Sequence, residues 1–303
     1  MDIKAYHQPV MLNEAINGLA IQPCGIYVDA TFGGGGHSAA ILQKLGNGRL
    51  IAFDRDISAF TPKPKDVRIT AISQNFRYLD RFLKLNGIET IDGLLADLGV
   101  SSYQIDNAER GFSIRYDAAL DMRMDRRQDL TAARILGTYS EEKLHRIFVE
   151  YGEITNARTL AKVLVQFRKT LPLDTSGSLK SAVRKTIRGN PNRYLAQVFQ
   201  ALRIEVNDEL DALKDLLSQA EKAIKPGGRL VMITFHSLED RIVKHFIRTG
   251  RIETILDERI TVNHISKLIP ITKKPIVPDS MEIKENPRAR SARLRIAEKM
   301  EKT

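Results

Sequence analysis

The stretch Val28–Ser38, VDATFGGGGHS, decides the fold: a short apolar run passes through an acid into four consecutive glycines. Glycine loses more backbone entropy on folding than any other residue, so such a loop is costly unless something approaches its backbone closely. A strand, then glycines, then a helix is the nucleotide-binding turn of a doubly wound sheet. The stretch therefore predicts the first strand, loop and helix of a ligand-binding α/β domain.

Apolar runs alternate with helical patterns outward from this stretch. The predicted strands are Ile26–Phe32, Arg49–Phe53, Val67–Ile72, Ile91–Leu98, Gly228–Phe235 and Ser291–Ala297. The predicted helices between the early strands include Ser38–Leu45 and Phe76–Leu85. Alternation of this kind predicts a mostly parallel sheet with helices on both faces.

The strand pattern stops in the middle of the chain, where apolar residues recur only at helical spacing. Leu144, Ile147, Phe148 and Tyr151 form one such stripe. The simplest interpretation is an α/β domain made of residues 1–107 and 209–303, interrupted by a helical domain of residues 108–208.

Composition limits the class of protein. The 303 residues are 43% hydrophobic and 28% charged, which is typical of soluble globular proteins. No apolar run is long enough to span a membrane, and the opening MDIKAYHQPV lacks the apolar core of an export signal. A single cysteine, Cys24, excludes an internal disulfide and a multi-cysteine zinc site. We therefore expect a cytoplasmic protein.

Positive charge is concentrated in the predicted insert. The chain carries a net charge of +10, and the segment from Arg158 to Arg203 holds ten Lys or Arg against one acid, Asp174. A basic cluster of this kind predicts a nucleic-acid-binding surface, the alternative being solvated helix faces.

Three acids lie at the ends of predicted strands: Asp29 near the end of the first strand, Asp54 directly after the second and Asp97 near the end of the fourth. Ligands of open α/β sheets bind beyond the carboxyl ends of the strands, so these acids are expected to line one cleft. Asp54 follows Gly34 by 20 residues, the spacing at which an acid holds ribose hydroxyls.

The glycine loop is compatible with two cofactors. Dinucleotide loops place a pyrophosphate at the helix N-terminus, whereas S-adenosylmethionine carries a sulfonium cation and an amino acid but no phosphate. Asp29 would repel a pyrophosphate and suit a cation, which favours S-adenosylmethionine. The alternative for Asp29 is a helix or turn cap.

Taken together, the motifs resemble the MraW family of ribosomal RNA methyltransferases. The matching stretches are HQPVMLNEA, DATFGGGGHS, FDRD, DLGVSS-x-Q, ERGFS, LDMRMD, FQALRIEVNDEL, PGGRL, FHSLEDRIVK and NPRARSARLR. They run in order from His7 to Arg295, and the set as a whole is highly specific.

The resemblance implies a Rossmann-like S-adenosylmethionine-dependent methyltransferase core, with a mostly parallel seven-stranded sheet and an inserted all-helical domain for substrate. It implies methylation of the exocyclic N4 of a cytidine in the decoding region of 16S rRNA, which is the expected partner within the small ribosomal subunit. The family's cofactor contacts carry over to Gly35, Gly36, His37, Asp54, Phe76, Asp97 and Gln104. The oligomeric state, monomer or dimer, is left open.

The sequence departs from the family pattern at three places. Tyr103 stands where the family commonly has Pro, Ala118 and Ala119 replace Gly-Pro, and NRYLAQV precedes FQALRI in place of a His-Pro stretch. These differences lie on or near the expected RNA side, so they bear on substrate docking and not on the cofactor.

The chemistry requires an acceptor for the N4 hydrogens and stabilisation of the charge that develops on nitrogen. Asp97 is the first catalytic candidate, the alternative being that the cofactor engages its carboxylate, and His236, Ser101 and Ser102 come after it. No metal or covalent intermediate is required.

Aromatic and basic side chains are candidates for holding the RNA. Tyr103 or Phe235 could stack on the unstacked cytosine, the alternative for Phe235 being core packing. If the tail that carries Arg288, Arg290, Arg293 and Arg295 is a strand throughout, all four lie on one face and contact phosphates or solvent.

Three other functions remain possible from the sequence. A DNA amino-methyltransferase would usually place Pro-Pro-aromatic after the acid that Asp97 provides, whereas Leu-Gly-Val follows here. Asp29 and the basic insert argue against a nicotinamide oxidoreductase. A non-catalytic RNA-binding scaffold would bind the cofactor without transferring a methyl group.

Overall fold

The computed structural model describes residues 9–252 and 266–301. His7 and Gln8 of the first family motif lie outside the described residues. The chain divides into two compact units: the first comprises residues up to Gly99 and from Leu210 onward, and the second comprises Val100–Glu209. The sequence predicts domain boundaries after residues 107 and 208. The first predicted boundary lies eight residues beyond the one between the two units, whereas the second differs by one residue.

The first unit contains one seven-stranded sheet. Its strands are β1 Ile26–Asp29, β2 Arg49–Phe53, β3 Ile69–Ile72, β4 Ile91–Asp97, β5 Ile224–Thr234, β6 Leu268–Pro270 and β7 Arg293–Lys299. Their order is β3-β2-β1-β4-β5-β7-β6. The first five pair in parallel, and β7 runs antiparallel to β5 and β6. This confirms the predicted mostly parallel, Rossmann-like sheet.

Helices cover both faces of the sheet. In the first unit they are α1 Leu12–Gly18, α2 Gly36–Lys44, α3 Leu79–Leu85, α10 Glu209–Ala223 (whose first residue belongs to the second unit), α11 Ser237–Thr249 and α12 Ser280–Glu285. Alternate residues of the central strands enter two separate apolar cores: Leu94 packs in the core that holds α3, α10 and α11, and Leu95 in the core that holds α1 and α2. This two-sided burial explains why the strand sequences are almost continuously apolar.

Several strand boundaries differ from the sequence prediction: β1 ends at Asp29 instead of Phe32, and β7 spans Arg293–Lys299 instead of Ser291–Ala297. β5 begins at Ile224, four residues before its predicted start at Gly228, and residues 225–228 bulge out between the pairs Ile91–Ile224 and Gly93–Arg229. Val67, predicted to begin β3, is 98% exposed and precedes the strand. The sequence patterns also do not predict β6, which spans only three residues.

The four C-terminal arginines do not share one strand face, which corrects the interpretation made above. Arg288 and Arg290 lie in a 3-10 helix, Pro287–Ser291, that ends before β7 begins. Arg293 and Arg295 lie on β7, and both donate to the carboxylate of Asp240 in α11.

The second unit is helical. Its helices are α4 Ser102–Asp106, α5 Ala132–Thr138, α6 Glu141–Glu150, α7 Ala157–Phe167, α8 Ser176–Val183 and α9 Pro191–Asn207. The stripe Leu144, Ile147 and Phe148 is fully buried in the core of this unit, together with apolar residues of α5, α7, α8 and α9. Across the described residues, none of the helices has the length and apolar character that a membrane crossing requires.

The second unit begins at Val100 because the segment after it is tied to the helical core. The guanidinium of Arg110 is 3% exposed and donates to the carbonyl oxygens of Arg123 and Met124. The amide of Asn207, in α9, bonds the backbone of both Met122 and Met124. These long-range polar contacts are invisible to an analysis of hydrophobic periodicity.

Candidate functional site

Three acids meet at one edge of the first unit's sheet. Asp29 ends β1, Asp97 ends β4, and Asp54 follows directly after β2. The strands β2, β1 and β4 are neighbours, with Asp29 paired to Ala52 on one side and to Leu95 on the other. The predicted convergence of these acids at the carboxyl ends of the strands is therefore present in the structure.

Asp29 serves as an internal cap. Its side chain is fully buried and accepts hydrogen bonds from the Ser38 hydroxyl at 2.6 Å and the Thr31 backbone N–H at 3.0 Å. Burial raises the pKa of Asp29 in spite of these bonds. The carboxylate joins the end of β1 to α2, so the cap alternative describes its contacts better than direct contact with a cation.

Neighbouring side chains of the protein leave little room beside two glycines of the loop. Gly35 has φ of +76°, and a Cβ there would meet the Phe32 ring at 2.8 Å. A Cβ on Gly36 would collide with the ring of Pro9, whereas one on Gly34 would meet nothing. At Gly35 and Gly36, glycine is therefore required because other residues of the chain pack against the loop backbone.

Asp54 closes the loop from the neighbouring strand. Its Oδ2 accepts from the Gly33 N–H and its Oδ1 from the Asp56 N–H, both at 2.8 Å. Burial raises the pKa of Asp54 to about 6. Each carboxylate oxygen keeps a further acceptor site, so the group can hold a hydroxyl while it positions the loop.

Phe76 opens a 3-10 helix, Phe76–Tyr78, that the Asn75 side chain caps. Its ring is 8% exposed and lies under the Arg55 guanidinium, 5.7 Å from the ring centroid. Arg55 follows Asp54 directly, so the arginine brings the predicted aromatic and the predicted acid into one neighbourhood. Arg55 gave no signal in the sequence beyond its place in the FDRD motif.

His37 and Asp97 face each other at the sheet edge. His37 Nε2 lies 3.1 Å from the carbonyl oxygen of Val10, and since a carbonyl only accepts, Nε2 carries the ring proton. His37 Nδ1 is therefore a bare acceptor, 3.8 Å from Asp97 Oδ2. Burial lowers the pKa of His37, which keeps the ring neutral.

The Asp97 carboxyl is poorly satisfied by the protein. Its Oδ1 is buried and has no hydrogen-bond partner among the described residues, although its backbone N–H donates to the Thr31 hydroxyl at 2.6 Å. Burial raises the pKa of Asp97 well above its usual range, and the charges of Asp29, Glu239 and Glu282 add to the effect. Glu282 gave no signal in the sequence, because it reaches the site from the other end of the chain.

His236 caps the N-terminus of α11. Its Nδ1 accepts from the Glu239 N–H at 3.4 Å, and its Nε2 lies 3.1 Å from Glu239 Oε1. Glu239 Oε2 in turn accepts from the Phe235 and His236 backbone N–H groups. Both ring nitrogens thus face groups of one residue, Glu239.

Gln104 belongs to the second unit. Its side chain accepts from the Ser101 N–H at 3.1 Å and its own N–H donates to the Ser101 hydroxyl, which completes a capping box on α4. Tyr103 is 50% exposed on the same helix. In the first unit, Phe235 is only partly buried against the core that holds α1 and α2.

The side chains of the first unit fit S-adenosylmethionine. The sheet edge offers carboxylates to a hydroxylated and cationic ligand, and the Asp97 oxygen without a partner is an acceptor suited to an amine. The buried Asp97 oxygen without a partner would repel a pyrophosphate, whereas Asp54 would suit the ribose of either cofactor. These observations favour the sulfonium cofactor over a dinucleotide.

Comparison with known proteins decides the family. The model of the MraW methylase family matches residues 4–300. The chain belongs to the MraW methylase family. The match confirms the predicted resemblance, the enzyme class and the cofactor: this family member is an S-adenosylmethionine-dependent methyltransferase.

Curated relatives at about 50% identity carry the name ribosomal RNA small subunit methyltransferase H. That from Amoebophilus asiaticus is 53% identical over 97% of this chain and 96% of its own. That from Flavobacterium johnsoniae is 51% identical over 97% and 98%. Among solved structures, an rRNA methylase from Streptococcus thermophilus is 13% identical, with a TM-score of 0.41 over 98% of this chain and 99% of its own.

Proposed function

We propose that this MraW family member methylates the exocyclic N4 of a cytidine in the decoding region of 16S rRNA, within the small ribosomal subunit and in the cytoplasm. The names of its relatives support ribosomal RNA as the substrate. The basic second unit supports an RNA partner, since ten of its residues between Arg158 and Arg203 are Lys or Arg and only Asp174 is acidic. The choice of the cytidine N4 rests on the family motifs.

The proposed reaction rests on the position and environment of the Asp97 carboxyl. It ends β4 beside the glycine loop, one of its oxygens is buried without a partner, and burial raises its pKa. A carboxylate with a raised pKa is a stronger base than a solvated one, and it still accepts hydrogen bonds once ionised. Asp97 is therefore the group proposed to accept the hydrogen of the amine.

The cofactor supplies an electrophilic methyl group on a sulfonium centre. The exocyclic amine of cytosine is a weak nucleophile because its lone pair is delocalised into the ring. Methyl transfer to this amine would place positive charge on nitrogen and would release one N–H proton. Asp97 stabilises that charge as a carboxylate and takes the proton.

The remaining residues are assigned to holding and orienting. Gly35, Gly36 and His37 present the start of α2, Asp54 holds ribose hydroxyls, and Phe76 provides an aromatic face. Gln104 is carried over from the family motif, its side chain serving in the α4 capping box. His236 is assigned the positioning of α11 through Glu239, because its nitrogens face that residue.

Reaching such a site requires an unstacked base. A cytidine in a helix cannot present its amine to a cleft, so the target nucleotide must be splayed out of its stack. Phe235, which is only partly buried in the first unit, and Tyr103, half exposed on α4 of the second, are the two aromatic side chains proposed for stacking on RNA bases. The helical unit is proposed to hold the surrounding RNA.

The test is methyl transfer from labelled S-adenosylmethionine to small subunits that lack the modification, followed by digestion and nucleoside mass analysis. The expected product is N4-methylcytidine in 16S rRNA, with the signal lost in Asp97→Ala. Cofactor binding without any methylated nucleoside would point to a scaffold, and a methylated nucleoside of another kind would replace the proposed target. Binding of S-adenosylmethionine to Asp97→Ala separates loss of chemistry from loss of cofactor.

A further inference from the structure

One surface of the second unit carries positive charge that the protein does not neutralise. We name residues 180–193, which run from the C-terminal half of α8 into the start of α9, the α8–α9 basic loop. Its basic residues are Lys180, Arg184, Lys185, Arg188 and Arg193, and no acid occurs between Asp174 and Glu205. All but Lys180 are exposed.

Two other arginines of this unit have structural roles, because protein groups bind their guanidinium groups. Arg203 forms a two-point ion pair with Glu209, and Arg168 donates to the carbonyl oxygens of Leu136 and Tyr139. Over the described ranges, by contrast, no carboxylate pairs with any of the five basic side chains of the α8–α9 basic loop. Their charge is available to a partner.

The loop backbone that bears these charges is fixed by a buried polar network. Thr186 and Tyr194 are 2% and 4% exposed. The Asn156 amide donates to the Thr186 carbonyl at 2.7 Å, and the Tyr194 hydroxyl lies 3.1 Å from Asn156 Oδ1. The Thr186 hydroxyl donates to the Val183 carbonyl at 2.7 Å. Charges on a fixed backbone lose less entropy when a ligand binds, so the loop is built to present them.

The start of α9 adds to the same positive surface. Asn190 caps this 17-residue helix by accepting from the Arg193 N–H, and Pro191 occupies its first turn. Gly189, at φ of +69°, lets the chain turn from Arg188 into that cap. The N-terminus of a helix carries partial positive charge and favours anions, which reinforces the arginines on either side of it.

The composition of the loop identifies the part of a nucleic acid that it suits. Residues 180–193 contain no aromatic side chain, and Tyr194 is buried, so the loop offers no stacking platform for bases. Lysine and arginine contacts to phosphates position a nucleic acid without reading its sequence. We propose that the α8–α9 basic loop binds the phosphate backbone of the substrate RNA without reading its bases, an assignment that rests on the proposed RNA-methylating function.

The first test is the salt dependence of binding to a fluorescently labelled single-stranded RNA of mixed sequence. The variant Arg184→Gln, Lys185→Gln, Arg188→Gln removes three exposed charges. Each lost phosphate contact lowers the slope of log affinity against log salt by about 0.7 for single strands, so the slope is expected to fall by about 2. Arg188→Gln alone is expected to lower it by about 0.7.

The matched control removes the same charge elsewhere on the unit. Arg134, Lys143 and Arg146 are exposed on α5 and α6, beside Glu141 and Glu142. The control variant Arg134→Gln, Lys143→Gln, Arg146→Gln is expected to keep the wild-type slope. The variant Arg184→Lys, Arg188→Lys retains the charges of the loop and is also expected to keep it.

The second test uses small subunits that lack the modification and follows methyl transfer. The loop variant is expected to raise KM by about tenfold or more, because phosphate contacts contribute to binding. It is expected to keep kcat and the identity of the methylated nucleoside, because the loop does not touch the reacting atoms.

Three results would overturn the proposal: an unchanged slope in the loop variant, an equal fall in the control, or a loss of kcat with unchanged KM. A different result would contradict the proposed function. If the wild-type protein yields no methylated cytidine while the loop variant still shows the reduced slope, the RNA surface stands and the reaction assignment falls.

Discussion

His37 Nδ1 and Asp97 Oδ2 face each other across 3.8 Å, and both atoms are acceptors in the neutral-imidazole, ionised-carboxylate state. His37 cannot donate to Asp97, because its ring proton lies on Nε2 against the Val10 carbonyl. The histidine thus helps to enclose the carboxylate without neutralising it. Because the ring offers Asp97 no proton, the carboxylate is left to burial and to the charges of Asp29, Glu239 and Glu282, which raise its pKa.

The pH dependence of methyl transfer should report this carboxylate. Burial raises the pKa of Asp97 well above the ordinary aspartate value of about 3.9. The ionised carboxylate is the form proposed to accept the proton. The single-turnover rate at saturating cofactor is therefore expected to fall as the pH is lowered through that raised pKa. Asp97→Asn should lower the rate by about 10²–10⁴-fold and abolish the acidic limb.

The control for this prediction is cofactor binding measured over the same pH range. It separates ionisation of the base from weaker binding of S-adenosylmethionine. An acidic limb that persists in Asp97→Asn at an unchanged pH would assign the limb to a different group and remove Asp97 from the proposed role.

The sequence was a good guide wherever the determinant was local. The glycine loop, the acids after successive strands and the strand–helix alternation are all patterns over a few residues, and the sheet edge assembles them as expected. Contacts between distant parts of the chain were not predictable in this way. Glu282 bonds the Met11 N–H across 271 positions and contributes to the environment of Asp97, yet no spacing rule connects the two.

Side-chain roles were less predictable than positions. Asp29 was placed correctly at the end of β1, but the Ser38 hydroxyl and the Thr31 N–H take up its oxygens. The four C-terminal arginines looked equivalent as a run, but a 3-10 helix holds two of them and Asp240 binds the other two. A sequence shows which groups are present, whereas burial and partners decide which remain available.

His236 is expected to behave as a helix cap. His236→Asn should transfer methyl groups at close to the wild-type rate, because asparagine is among the best N-cap residues. His236→Ala should lower the free energy of unfolding by about 0.5–2 kcal/mol, as cap removal does. Urea unfolding and single-turnover rates of both variants provide the measurement. If both variants lost rate equally, by about a hundredfold, His236 would have to be a catalytic residue and not only a helix cap.

The glycine loop can be tested with two alanines. Gly36→Ala places a methyl group against Pro9 and is expected to lower the free energy of unfolding by about 1–3 kcal/mol, the usual cost of overpacking. Its affinity for S-adenosylmethionine should fall as well, because the start of α2 must shift. Gly34→Ala is the control, since its Cβ meets nothing, and it should change the free energy of unfolding by less than about 0.5 kcal/mol. Two equally stable variants would contradict the Pro9 contact.

The arginines of β7 should differ sharply in their contribution to stability. The Arg295 side chain is 11% exposed and donates to both oxygens of the buried Asp240, whereas that of Arg293 is 51% exposed and makes one contact. Arg295→Gln is expected to lower the free energy of unfolding by about 3 kcal/mol, because it breaks a buried pair. Arg293→Gln should cost about 0–1 kcal/mol, as exposed ion pairs do.

The pH dependence of the Arg295 effect gives a second check. Burial alone would raise the pKa of Asp240, but hydrogen bonds from Arg295 and Arg293 outweigh it and hold the pKa below its ordinary value. The ionised form is thus favoured in the folded protein, so its stabilising contribution is present above about pH 4 and is lost as the pH falls through the lowered pKa. The difference between wild type and Arg295→Gln should be equal at pH 7 and pH 5 and smaller near pH 3. A difference that vanishes already at pH 5 would show that Asp240 is not the partner that stabilises Arg295.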